Sequence, residues 1–260
     1  MNYTREVLND FEQVFLAYTD SFLSGKAEFD KNILLKKEHS LLVQQESRYL
    51  AEAENFSPRL AILAETAGLF HDIGRFEQIR RYNTFVDAKS LDHGDLGCEV
   101  LLKTAMLSPL PENDRDIIIS AVKLHNKRKP ASGLTGDALL IAQAVRDADK
   151  LDIMRVLLNE YARGKLDPTV ILHLEESDNI SPPVLAHLEK GENPNIADFR
   201  TLTDFKLAQL AWIYDLNFKH SMLEFKKRRI YERIAEHLPD TPQINKLAGK
   251  MRDYLENKIA

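Results

Sequence analysis

Gly68-Leu69-Phe70-His71-Asp72-Ile73-Gly74-Arg75 ends an apolar run that starts at Leu60-Ala61-Ile62-Leu63-Ala64, and the reading of that junction decides the fold. Ser57 followed by Pro58 is a helix-start signal: a capping hydroxyl, then a residue whose fixed φ suits the first helical position. The run is therefore read as a helix that delivers His71 and Asp72 at its end, with Gly74 letting the chain turn out of it.

Around that pair, three further histidines and one aspartate stand at helix-length intervals. His39 lies 32 residues before His71, His93 lies 22 after it, His125 another 32 on, and Asp149 24 beyond that. Each interval is long enough for a helix and its return. Leu35, His39, Leu42 and Val43 recur at helical offsets, which puts His39 on an apolar stripe facing the core; Ile118, Val122 and His125 share a face in the same way. Asp149 borders the stripe of Ile141, Val145 and Ala148. Four helices that each aim an imidazole or carboxylate inward make a metal site, in which coordination offsets the burial of polar groups. Nitrogen and oxygen donors suit one or two divalent ions such as manganese, iron, cobalt, zinc or nickel, whereas a thiolate cluster needs more than the single cysteine, Cys98. One histidine on a helix is more often a hydrogen-bonded core residue than a ligand, so the set carries the reading. His173, His187, His220 and His237 lack comparable settings and are read as ordinary.

The same spacing of three and four runs through Val7, Leu8, Phe11, Phe15 and Leu16 and through Ile33, Leu34, Leu35, Leu41, Leu42 and Val43, while strand alternation is missing. The fold class is all-α. Ser90 or Asp92 is expected to cap a helix carrying Leu96, Val100, Leu101 and Leu102, followed by helices over Ile117 to Leu124 and Ala138 to Leu158. Gly164 to Pro194, with Pro168, Pro182, Pro183 and Gly191, reads as loop, and further helices lie between Leu202 and Ile259. The expected organisation is an N-terminal helix in 1–30 packing on the core, a metal-binding core over 31–160, and a loop-rich segment with C-terminal helices over 161–260 completing the same domain. Leu207, Leu210, Trp212, Ile213 and Phe225 are apolar enough to pack within the chain or to form a homodimer. Lys226-Lys227-Arg228-Arg229 reads as a solvated face.

Composition narrows the function classes. A chain of 260 residues with 44% apolar residues can bury a large core, and a net charge of −5 gives no basic field for an extended nucleic-acid surface. No run approaches a membrane span, the first residues lack a secretory layout, and one cysteine fits a reducing compartment; a cytoplasmic protein is expected.

Three segments resemble the HD-domain metal-dependent phosphohydrolases. Gly68 to Arg75 resembles that superfamily's central signature, His39-Ser40-Leu41-Leu42-Val43 its first-histidine helix, and Arg146-Asp147-Ala148-Asp149-Lys150-Leu151-Asp152 its closing aspartate motif, in which Asp149 rather than Asp147 is the matching position. His93-Gly94-Asp95-Leu96-Gly97 and His125 resemble the additional histidines of its two-metal members. The resemblance spans roughly residues 31–160 and implies a helical bundle with additional C-terminal helices. It further implies that Asp72 bridges two metals, with His39, His71 and Asp149 completing one sphere and His93 and His125 the other. Bound metal brings the pKa of water from roughly 15.7 toward about 7, so a hydroxide could attack phosphorus at neutral pH. With a single metal, His93 and His125 would instead hold phosphate or shuttle protons.

Asp72 and Asp149 are thus the expected catalytic carboxylates, with Arg75 and Lys127 the nearest cations for an anionic substrate. Arg80, Arg81, Arg128 and Lys129 are as readily solvated charges, and Phe76, Tyr82 and Phe85 are expected to pack in the core or a lid. Glu46, seven residues beyond His39, is a candidate to orient that ring. The expected activity is hydrolysis of a phosphoester of a small nucleotide or related phosphate, a phosphodiester ahead of a monoester; the glycine-tyrosine-proline signature of the cyclic-di-GMP group is missing. The alternatives are a di-iron oxygenase on the same ligand set and a non-catalytic metal- or nucleotide-binding regulatory module.

Overall fold

Ser57 caps as its sequence demands: in the computed structural model its hydroxyl accepts the amide of Leu60 and Pro58 opens the helix Pro58–Phe70, α3 in the order that follows. The structure describes residues 3–128, 133–163 and 174–260. Lys129, Pro130, Gly164, Pro168 and His173 lie outside the described residues. Within them the order is α1 (Arg5–Asp20), α2 (Ala27–Ala53), α3, α4 (Ile73–Tyr82), α5 (His93–Thr104), α6 (Glu112–Leu124), α7 (Gly136–Arg163), α8 (Pro182–Glu189), α9 (Leu202–Ala211), α10 (Lys219–Lys227), α11 (Ile230–Ala235) and α12 (Pro242–Ile259). No strand occurs among the described residues, and the one bridge joins Glu175 to Thr201. The all-α expectation holds.

The chain divides into two compact units, Met1–Asp152 and Ile153–Ala260, with the division inside α7. The sequence pattern instead suggests a boundary at residue 160, with 161–260 completing one domain. In the first unit α2 packs along α3, α3 on α6, α4 on α5 and α5 on α6, so the helices bearing His39, His71, His93 and His125 are mutual neighbours. The α1 helix docks behind them through aromatic edges: Phe11 and Phe15 meet Phe70 at 6.2 and 6.0 Å, and Phe15 meets Phe76 at 6.0 Å. Fully burying such a side chain contributes about 1.5–3 kcal/mol, so this cluster fixes the backbone immediately before and after His71-Asp72. Phe76 is core, as expected.

Three sequence expectations are corrected. Gly74 does not release the chain; it lies inside α4, where a Cβ would meet the carbonyl oxygen of His93 at 2.3 Å and the amide nitrogen of Gly97 at 2.5 Å. Its role is close approach of α4 to α5. Leu34 and Leu35 are exposed while Ser40, Gln44 and Ser47 are buried, so the inner face of α2 is more polar than the leucines suggest. Within the supposed loop 164–194, Ser181-Pro182-Pro183 opens α8, with prolines at the first helical positions, where no amide is needed.

In the second unit Asp204 holds the start of α9. Its buried carboxylate accepts the amides of Ser181, Arg200 and Thr201, and Thr201 completes a capping box. The basic run is locally neutralised, Lys226 by Glu256 and both Lys227 and Arg228 by Glu224. No helix among the described residues is long and apolar enough to cross a membrane.

Candidate metal centre

His71 directly follows the last residue of α3, and His125 directly follows the last residue of α6. A helix leaves its final carbonyls without helical amides, and each histidine uses one: His71 Nδ1–H donates to the Gly68 carbonyl at 2.7 Å and His125 Nδ1–H to the Val122 carbonyl at 2.6 Å. His39 lies mid-way along α2 and gives its Nδ1–H to Asp152 at 2.7 Å; His93, the first residue of α5, gives its Nδ1–H to Asp87 at 2.7 Å. His39 is therefore oriented by Asp152.

These four acceptors fix the tautomers. Carbonyl and carboxylate oxygens only accept, so each Nδ1 carries a proton, and each ring in its neutral form turns a bare Nε2 toward the others. The Nε2 atoms of His93 and His125 are 3.0 Å apart and those of His39 and His71 are 3.2 Å apart. Two lone pairs at that distance repel unless a cation lies with them. The carboxylate of Asp72 stands between the pairs: Oδ2 is 3.7 and 3.6 Å from His39 and His71 Nε2, and Oδ1 is 3.4 and 3.6 Å from His93 and His125 Nε2. Asp149 joins the first pair, its Oδ1 3.0 Å from His39 Nε2 and 3.5 Å from His71 Nε2. Three donor groups result, His39-His71-Asp72, His71-His125-Asp149 and Asp72-His93-His125, each with its atoms within 4.8 Å of one another. A buried, all-nitrogen-and-oxygen donor set with converging lone pairs fits a divalent ion.

Electrostatics separates the rings. Burial and the nearby Lys36 push the His39 pKa down, but its bonds to Asp149 and Asp152 outweigh them and raise it to about 8. Burial, helped by Arg75, lowers His93 to about 4 despite Asp87, and burial lowers His71. Burial alone would raise Asp72; Lys36, His71, His125 and Arg75 hold it well below the ordinary carboxylate range. Asp149 is likewise held down, against burial, by His39 and His71.

The cations are distributed unevenly. Arg75 brings Nε to 3.6 Å from Asp72 Oδ1, and its Nη1 donates to Gln78, to the Phe85 carbonyl and to Asp87. Lys127 is held by Asp92 at 2.6 Å and Asp95 at 3.3 Å, at the start of α5. Arg80 and Arg81 pair with Glu77 on α4. Three contributors were not singled out in the sequence. Lys36, one turn before His39, places Nζ 2.7 Å from Asp72 Oδ2. Asp87 collects His93, Arg75 and Gln78. Arg146, buried, donates to the His125 carbonyl at 2.9 Å and so holds the end of α6. The helical offset of Lys36 from His39 was a usable signal; the other two are long-range partners.

Residues 37–154 match the family model of the HD domain. Those residues form an HD domain, a domain type of metal-dependent hydrolases. No curated protein and no solved structure shows significant similarity to the chain.

Proposed function

We propose that this protein hydrolyses a phosphoester of a small nucleotide or related phosphate, a phosphodiester ahead of a monoester, using two divalent ions. The observation that carries the reading is the posture of Asp72, which offers one carboxylate oxygen to each histidine pair. His39, His71 and Asp149 with one oxygen of Asp72 would hold one ion, and His93 and His125 with the other oxygen would hold the second. Bound there, the ions would supply an acidified water and positive charge for phosphoryl oxygens.

The chain's own residues do the remaining work. The carboxylates of Asp152 and Asp87 and the carbonyls of Gly68 and Val122 fix each imidazole with Nε2 inward, so no ring reorients during the reaction. Arg75 lines the Asp72 side of the pocket, where a guanidinium suits a phosphoryl oxygen. A cationic border around an acidic centre favours a phosphate anion over dioxygen, which sets the hydrolase ahead of a di-iron oxygenase.

The test is metal analysis of the purified full chain, with turnover of a generic phosphodiester, a monoester and a nucleotide panel under added manganese, cobalt and iron. About two ions per chain with ester hydrolysis lost in His93→Ala and His125→Ala supports the proposal. Iron uptake with oxygen consumption and no ester hydrolysis would replace it with the oxygenase, and metal uptake with neither activity would leave a binding module.

A further inference from the structure

Among the described residues Lys36 is the cation that meets Asp72 at hydrogen-bond distance, 2.7 Å from Oδ2, while its side chain is 18% exposed against 4% for Asp72. The lysine thus joins a partly exposed stem to a buried carboxylate. The oxygen it binds also faces His39 and His71, the pair joined by Asp149. A second cation stands close by: Lys36 Nζ is 5.6 Å from the centroid of the Phe85 ring and Arg75 Cζ is 5.8 Å from the same centroid. Arg75 is anchored through Nη1 to Gln78, Phe85 and Asp87, and its buried Nε has no hydrogen-bond partner. Lys36 is different: it pairs with Asp72 and lies over the face of Phe85, and a lysine stem turns freely about four carbons.

We propose, building on the two-ion hydrolase reading, that Lys36 is a metal-displaced phosphate clamp: it neutralises Asp72 when the pocket lacks a divalent ion, and on loading it moves to the rim beside Arg75 to bind the substrate's phosphoryl oxygens. The first half follows from charge. A buried carboxylate is costly to leave unpaired, and an ammonium bonded to Oδ2 satisfies it. A divalent ion on the same oxygen brings like charge next to the ammonium, so the two compete for the carboxylate. The second half follows from what surrounds the displaced group. The Phe85 ring offers a π-face for the ammonium, and Arg75 beside it supplies a second donor, so a phosphate at the mouth meets two cations outside and the ions inside. Lysine suits the moving role and arginine the fixed one, since the guanidinium is the group with three oxygens already bound by Nη1.

The test uses the metal-free full chain, wild type against Lys36→Met and Lys36→Arg, titrated with manganese chloride, and then the manganese-loaded proteins titrated with inorganic phosphate. Lys36→Met is expected to bind manganese about tenfold tighter than wild type, because one competing like charge is gone. Its loaded form is expected to bind phosphate roughly tenfold more weakly, the loss of one charge-assisted hydrogen bond. Lys36→Arg keeps the charge and stays near wild type in both titrations. Metal-free Lys36→Met is expected to melt earlier than wild type and to recover on adding manganese, which separates loss of the ion pair from failure to fold. Equal or weaker manganese binding by Lys36→Met overturns the displacement, and unchanged phosphate binding overturns the clamp. A wild-type chain that takes up no metal overturns the hydrolase reading itself, and this inference with it.

Discussion

His39 and His71 meet on one side of Asp72, and His93 and His125 on the other. In each pair the residues are 32 apart, one ring is steered by a carboxylate, and the other by the carbonyl three residues before it. Their anchorage is not the same. The first pair adds a fourth donor group, Asp149, and is steered by Asp152; both come from α7, and the Asp152 side chain is 2% exposed. The second pair has Asp72 alone and is steered by Asp87, whose side chain is 34% exposed on the short turn Asp87–Lys89 between α4 and α5. One plan is thus executed once on rigid helices and once with a loop. The lesson is that a half steered from a helix and a half steered from a loop differ in how firmly they hold an ion.

The largest effect is expected from the shared element. Asp72→Ala removes an oxygen from both halves and should abolish bound metal and turnover together; retention of either, by elemental analysis and assay, would break the common plan. Next come the two helix-end histidines. His71→Ala should empty the four-donor half, whereas His125→Ala should leave about one tightly held ion per chain, since three imidazole or carboxylate donors and Asp72 remain at the first half. Each variant keeps one half intact, so equal affinity for the remaining ion in the two would make the halves equivalent.

The steering carboxylates sharpen the contrast further. Asp152→Asn and Asp87→Asn should each weaken metal binding within the roughly 10–100-fold range typical of outer-shell partners, with Asp152→Asn the more severe. Water can reach the 34% exposed site of Asp87 and stand in for the lost oxygen, but not the 2% exposed site of Asp152. The smallest effect concerns protons. His39, raised to about 8, is protonated at pH 7 in the metal-free protein, so loading the first half must expel that proton; His93, lowered to about 4, is already neutral and releases none. Binding at His39 should therefore weaken as pH falls below about 8, while His93 stays available until pH approaches 4. Calorimetric titration in buffers of different ionisation enthalpy measures the proton count directly.

Much of this was legible before any coordinates. The helices that bear the histidines announce themselves through local spacing and caps, and Ser57-Pro58 and Asp92 act where the chain says they should. His39, His71, Asp72, His93, His125 and Asp149 are brought together as their intervals suggested. What stayed hidden was pairing over distance. Lys36, next to Lys37, looks like any surface lysine until α2 is laid along α3, and Asp87 and Arg146 find their partners through tertiary packing alone. The α8 helix was hidden for a different reason: Pro183 reads as a breaker, although the first helical turn tolerates it. Leu34 and Leu35 misled because leucine is a good helix former wherever it points.

Gly74, by its close approach, also limits how this protein can vary. Its missing side chain lets α4 lie against the carbonyl of His93, and Gly94 is pressed as closely, a Cβ there meeting Asn126 Oδ1 and the Lys123 carbonyl at 2.8 Å. A saturation library scored for function should therefore show two positions as intolerant as the histidines although neither bears a donor. Any effort to retune this pocket by directed evolution has to leave those gaps empty and search instead along the loop from Asn83 to Asp92.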